Sequence, residues 1–234
     1  MEKSQYNLCV EVLRRFNKSG LLTDFILIGS WAMVFYKERF KDWPRLNKFV
    51  LMTRDMDFLI DSVKKIKQEV DIPDLLDDLG FRVTFQGNKG YIKLNHPELI
   101  VEFLTPERGR GTEKPVLLPT LGINATALRF LNFLSEGTIK VQVEDFKVTL
   151  PHPARFALHK LIVAQRRKNK DKAQKDNMMA LEILNDLMEA GEKESMRSAY
   201  DAMNTQWQKR IIVGLEFLKQ EAILSDLASN RKTI

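Results

Sequence analysis

A single cysteine, Cys9, is all the thiol chemistry the chain offers, so an internal disulfide and a multi-cysteine zinc site are both excluded. Histidine is nearly as scarce. His96, His152 and His159 show no metal-ligand spacing and two of them adjoin prolines, so turns and surface positions account for them. Long apolar runs are missing too: an uncharged stretch such as Phe25 to Tyr36 is too short to cross a bilayer. Met1 to Gln5 lacks an apolar segment behind a basic one. A soluble, cytoplasmic protein with no membrane partner is therefore expected. There is no internal repeat and no long low-complexity segment.

What is present suffices for a core. The chain has 234 residues, 44% of them hydrophobic, enough for one large domain or two modest ones. Lysine and arginine exceed aspartate and glutamate by six, which permits a phosphate-bearing partner without requiring one. The basic charge is partly clustered, at Arg166, Arg167, Lys168, Lys170, Lys172 and Lys175, while Asp71, Asp74, Asp77 and Asp78 form an acidic stretch.

Periodicity organises the chain into two parts. Leu8, Val10, Val12, Leu13 and Phe16 recur at helical spacing up to a stop at Asn17 to Gly20. Phe25 to Ile28 is a short apolar strand, Gly29-Ser30 a tight turn, and Trp31 to Phe40 a helix. Arg54 to Asp61 alternates as a strand. Ile72 to Leu79 is helical, Phe81 to Leu104 mostly strand with turns at Gly87 to Gly90 and Asn95 to Pro97, and Thr138 to Leu150 a hairpin around Glu144-Asp145. From Arg155 to Leu227 the periodicity is helical. The expected domains are therefore residues 1–150 and a helical domain over residues 151–234, an α+β chain.

The chemistry centres on Asp55 and Asp57. Alternation puts both on one face of a strand, roughly 6 to 7 Å apart at their Cα atoms, while Met56, Phe58 and Ile60 face the other way. Two carboxylates side by side repel each other unless a cation lies between them, and hard oxygen ligands favour magnesium (Mg2+) or manganese (Mn2+). Aspartate is depleted in strands, so a merely wet strand face explains the doublet poorly. At Gly29-Ser30 a strand passes into a helix, where free N–H groups and the helix dipole can hold a phosphate, though a plain capping turn has the same residues.

Taken together, Phe25-Ile26-Leu27-Ile28-Gly29-Ser30-Trp31-Ala32 and Thr53-Arg54-Asp55-Met56-Asp57-Phe58-Leu59 closely resemble the signature of the DNA polymerase beta-type nucleotidyltransferases. The resemblance implies a mixed β-sheet flanked by helices and followed by an α-helical C-terminal domain. It also implies Gly29 and Ser30 on the triphosphate of an NTP, with Asp55 and Asp57 on two metals. The gap between Ser30 and Asp55 is longer than usual in the family, and Lys41 to Leu51 look like an insertion at the substrate mouth, with Trp43 a candidate for stacking. The family's third carboxylate falls best on Glu102, the lone charge in Leu99 to Leu104, either as a metal ligand or as the acceptor's base. The alternative is an edge-strand charge.

A second constellation lies in the helical part. Lys160 and Arg167 share a helix face, and Asp176 lies on the row of Met179, Ile183 and Leu187. This resembles the C-terminal motif of the abortive-infection branch, in which lysine and arginine contact the nucleotide and the aspartate assists; Arg166 competes with Arg167 for that role. The alternative is a solvated basic face and a capping aspartate. Arg108-Gly109-Arg110-Gly111 could touch phosphates or be a simple connection. The expected activity is transfer of an NMP to a hydroxyl acceptor, RNA, protein or small molecule, with an antitoxin or a second copy as candidate partners. The alternative of another class is a silent nucleotide- or RNA-binding adaptor of the same fold.

Overall fold

The computed structural model describes residues 3–48, 53–107, 109 and 114–228. The chain falls into two compact units, one of Met1–Arg39 with Val50–Pro151, the other of Phe40–Phe49 with His152–Ile234.

Among its described residues the first unit holds nine strands: β1 (Ile26–Ile28), β2 (Asp55–Leu59), β3 (Arg82–Gln86), β4 (Tyr91–Asn95), β5 (Ile100–Pro106), β6 (Val116–Leu118), β7 (Ile123–Leu128), β8 (Thr138–Val143) and β9 (Phe146–Pro151). Its helices are α1 (Lys3–Lys18), α2 (Gly29–Arg39), α4 (Ile72–Asp77) and α5 (Asn132–Ser135). The sheet runs β3-β4-β5-β2-β1-β9-β8, with β7 also on β5 and β6 on β7. It is mixed: β2 is antiparallel to β1 and parallel to β5. As a central strand, β1 is buried on both faces, which is why it reads as an unbroken apolar run.

The two faces differ in composition because side chains alternate. On the back face, Phe58 and Phe103 stack on each other and both meet Phe25 at a tilt, and Phe16 from α1 meets Phe25 and Phe58 edge-on at 5.4 and 5.2 Å between centroids. Each such ring removed from water contributes on the order of 2 kcal/mol. Cys9 is buried beside Met56 on this face. On the front face Ile26, Ile28, Leu59 and Leu104 form a cluster closed by Leu131 and Leu134 at α5. That leaves Asp55, Asp57 and Glu102, farther along the same face, outside the apolar cover.

At one point the sheet forks. β5 pairs β4 through Ile100 and Val101 but β7 through Leu104 to Pro106. Buried Asn124 fills the fork, accepting from the Ile92 N–H at 3.0 Å and donating to the Gly90 carbonyl at 2.9 Å, so the backbone groups that lose a strand partner there are satisfied.

The second unit contains α3 (Pro44–Lys48), α6 (Pro153–Ala164), α7 (Lys170–Glu189), α8 (Lys193–Asp201), α9 (Thr205–Phe217) and α10 (Glu221–Ala228). α6 is buried nearly all round and touches α7, α8 and α9. Asn169 caps α7 and Asn204 caps α9, each side chain accepting a backbone N–H at 3.0 Å. The segment read as a substrate mouth has a different role in this unit. Asp186 of α7, fully buried, accepts the N–H groups of Leu46 and Arg45 at 2.7 and 3.2 Å, and Trp43 is buried in a stack on Phe40 at 4.1 Å. α3 is thus a packed part of the helical unit, and Trp43 does not offer a free ring; Phe49, Val50 and Leu51 lie outside the described residues, as do Arg108, Arg110 and Gly111. Among the described residues no helix is long and apolar enough to cross a membrane.

Candidate active site

β2 positions the two aspartates as its alternation requires: Asp55 is exposed and Asp57 half-buried, with Met56 and Phe58 buried behind them. The register then brings in two neighbours. Asp57 is level with Ile28 on β1 and with Glu102 on β5. Three carboxylates therefore share one sheet face, and the apolar Ile28 walls them on the β1 side.

Beyond Ile28 the chain turns directly into α2 at Gly29. Gly29 has φ +67°, a left-handed conformation that side chains rarely adopt. A Cβ there would also collide with the Asp57 carboxylate, lying 3.2 Å from its Cγ and closer still to Oδ2. The turn and the acid are therefore packed against each other, and Ser30, half-buried in the first turn of α2, follows at once. Glycine at this position permits a helix N-terminus to begin at the aspartate row.

Glu102 is on a central strand, between β4 and β2, which removes the edge-strand explanation of its charge. Its carboxylate has a partner that sequence reasoning missed. Leu94 pairs with Val101, so Lys93 lies across from Glu102, and its ammonium donates to Glu102 Oε1. Both side chains are about four-fifths buried, at 21% and 19% exposure. Lys93 is the only charge in Tyr91–Asn95; that was the available signal, but it becomes useful only once the β4–β5 register is known. Among the described residues no three His, Cys, Asp or Glu side chains are gathered tightly enough to hold a metal ion as they stand.

In the helical unit the structure brings Lys160, Arg167 and Asp176 together. Lys160 Nζ donates to Asp176 Oδ1 at 2.6 Å and Arg167 Nε to Oδ2 at 2.9 Å. Burial pushes the Asp176 carboxyl up, but the two cations outweigh it and hold the acid below its ordinary range. Of the two adjacent arginines, it is Arg167 that reaches the aspartate. His159, assigned to a surface or turn from sequence, is buried in α6. Burial lowers its pKa to about 3, with Lys160 adding to the effect, and its Nε2 has no partner. The reason is the packing of α6 on several sides, which periodicity alone does not reveal.

The sequence profile of a nucleotidyltransferase family matches residues 7–206. The chain belongs to this family. The match takes in all three acids, the Gly29-Ser30 turn and the Lys160–Asp176–Arg167 group of this nucleotidyltransferase. No curated protein sequence matches it. Among solved structures, an antigenic nucleotidyltransferase-like protein from Paracoccidioides brasiliensis is similar, at 15% identity and a TM-score of 0.51, over 97% of this chain and 94% of that one. It supports the nucleotidyltransferase-like fold. Two structures of the antibiotic-resistance factor ANT(2'')-Ia are also similar. The solution structure has 12% identity and a TM-score of 0.45 over 96% of this chain and 97% of that one. The complex with adenylyl-2''-tobramycin has 13% identity and a TM-score of 0.46 over 85% and 99%.

Nucleotidyltransferases generally use divalent metals, and the residues of this nucleotidyltransferase suit one chemically. Asp55 and Asp57 supply hard oxygen donors from a rigid strand, and the space a Cβ would occupy at Gly29 is taken up by the Asp57 carboxylate.

Proposed function

We propose that this nucleotidyltransferase moves a nucleoside monophosphate from an NTP to a hydroxyl acceptor with release of pyrophosphate, using magnesium or manganese held by Asp55 and Asp57. The observation that carries the reading is the packing of Gly29 against Asp57, because it puts an anion-binding helix start and an acid row within one side chain of each other. The acceptor oxygen attacks the α-phosphorus, its proton passes to Glu102 or to solvent, and the bond from the α-phosphorus to the pyrophosphate oxygen breaks. A divalent cation, when bound, supplies Lewis acidity for the hydroxyl and offsets charge on the leaving pyrophosphate. Gly29 and Ser30 orient the triphosphate, and Ile28 excludes water from one side of the row.

The likeness to the abortive-infection branch is supported by the Lys160–Asp176–Arg167 group, whose cations are proposed as nucleotide contacts oriented by one aspartate. RNA is the acceptor class most in keeping with the net charge of +6 and the basic run from Arg166 to Lys175. The test is to incubate the purified chain with each α-labelled NTP, magnesium or manganese, and total RNA or lysate. Label transferred by the parent and lost in Asp57→Asn supports the reading. NTP binding without metal and without turnover points instead to a silent adaptor.

A further inference from the structure

Three charged side chains, Asp57, Glu102 and Lys93, stand in line across three strands, with Asp55 next to Asp57 on the same face of β2. Asp55 and Asp57 project from β2, Glu102 is level with Asp57 on β5, and Lys93 is level with Glu102 on β4. The Lys93 ammonium takes hold of Glu102 from the side of β5 that lies away from Asp57. A glutamate has three side-chain torsions, and beside two aspartates it would have every electrostatic reason to join them around a cation. An ammonium to one side gives its carboxylate a competing place. The largely buried setting makes that competition effective, since a pair at 21% and 19% exposure is less screened than one in open water.

We propose that Lys93 is a positioning residue that keeps the Glu102 carboxylate on the β4 side of the acid row, reserved for the acceptor hydroxyl and out of the coordination shell of the metal. The inference rests on the reading of Asp55 and Asp57 as the metal-holding pair. It divides the labour among the three acids: the two aspartates serve the cation, and the glutamate, restrained by its lysine, takes the proton as the acceptor oxygen attacks. It also predicts where the acceptor enters, over β4 and β5, with the triphosphate on the β1 side by Gly29.

The experiment is manganese binding to the purified full-length protein, followed by electron paramagnetic resonance, with thermal melting of the metal-free forms alongside. Lys93→Met is expected to bind manganese about three- to tenfold more tightly than the parent, because Glu102 becomes available as a ligand and a nearby positive charge is lost. The double variant Lys93→Met with Glu102→Gln keeps the parent's net charge and is expected to return to the parent's affinity. Lys93→Arg is expected to stay near the parent. In the metal-free melts Lys93→Met should be less stable than both the parent and the double variant, since it alone leaves Glu102 unpaired next to Asp57. Unchanged affinity in Lys93→Met, or a gain that survives in the double variant, overturns the inference while the aspartate reading stands, provided Asp57→Asn binds manganese more weakly than the parent. A parent that binds no manganese, or binds it as well after Asp57→Asn, overturns the metal reading and this inference with it.

Discussion

The Asp57 carboxylate fills the space that a Cβ on Gly29 would need. This contact joins the two local motifs, the strand-to-helix turn and the acid strand, into one site, and it makes the glycine as demanding as the acid. Gly29→Ala should therefore harm catalysis through Asp57. The left-handed backbone adds about 1 kcal/mol of strain for a residue with a side chain, so melting should fall modestly. Transfer should fall by about two orders of magnitude or more, as expected when a catalytic group is moved by about an ångström. Parent-like transfer by Gly29→Ala would sink the coupling.

Asp57→Asn should abolish transfer and leave the fold intact. It removes one charge from a half-buried acid row, which relieves repulsion in the metal-free protein. Circular-dichroism melts of the metal-free protein should show little loss or a small gain, and comparable transfer rates at saturating magnesium would contradict the metal assignment.

Much of this site was legible from local pattern. The apolar run into Gly29-Ser30 and the alternation of Asp55, Met56, Asp57 and Phe58 are set by neighbours one or two residues away, and each element came out as a strand or helix within a residue or two of its expected ends. What was illegible depends on register or packing. Lys93 matters only because β4 pairs with β5 at Leu94 and Val101. β6, β7 and α5 arise from Pro115 to Ser135, a stretch with neither clear alternation nor helical spacing, yet Leu131 and Leu134 close the front face and Asn124 holds the fork. Lys41 to Leu51 reads as an insertion at the substrate mouth, because the buried Asp186 that captures Arg45 and Leu46 is well over a hundred positions away.

Glu102→Gln should lower turnover by about two orders of magnitude or more, the usual size of a lost general base, and should change NTP affinity much less. Steady-state kinetics separate the two parameters. An unchanged rate would reduce Glu102 and Lys93 to a structural ion pair.

The Lys160–Asp176–Arg167 group allows nucleotide binding to be probed without collapse only at its outer member. Asp176→Ala leaves the nearly buried Lys160 without its counter-ion and should cost roughly 3 to 5 kcal/mol. Arg167 is 40% exposed, and its removal leaves the Lys160–Asp176 pair in place, so Arg167→Ala should melt close to the parent. If Arg167 serves phosphates, the same variant raises the apparent KM for NTP severalfold. An unchanged KM would confine the group to a structural role in the helical unit.

His159 predicts how stability varies with pH. Its folded pKa is depressed from the ordinary 6.5 to about 3 by burial, with Lys160 and Arg167 opposing protonation and Asp176 only partly compensating. Because the folded pKa lies below the unfolded one, the unfolded chain binds the proton first as pH falls. The histidine thus contributes no penalty above about pH 6.5, and between there and about pH 3 it removes stability at about 1.4 kcal/mol per pH unit. Asp176 acts in the same direction at the acid end, since its carboxyl is held below its ordinary value and its contribution is lost as pH falls through that lowered value. The two are separable by position on the pH axis. His159→Leu removes the titration and also a buried nitrogen with no partner. Melting followed from pH 8 to pH 4 should therefore show a shallower decline for His159→Leu than for the parent between pH 6.5 and pH 5, where carboxylates contribute little. Parallel curves over that interval would mean that His159 is protonated in the folded protein, or that α6 opens to admit water before the chain unfolds.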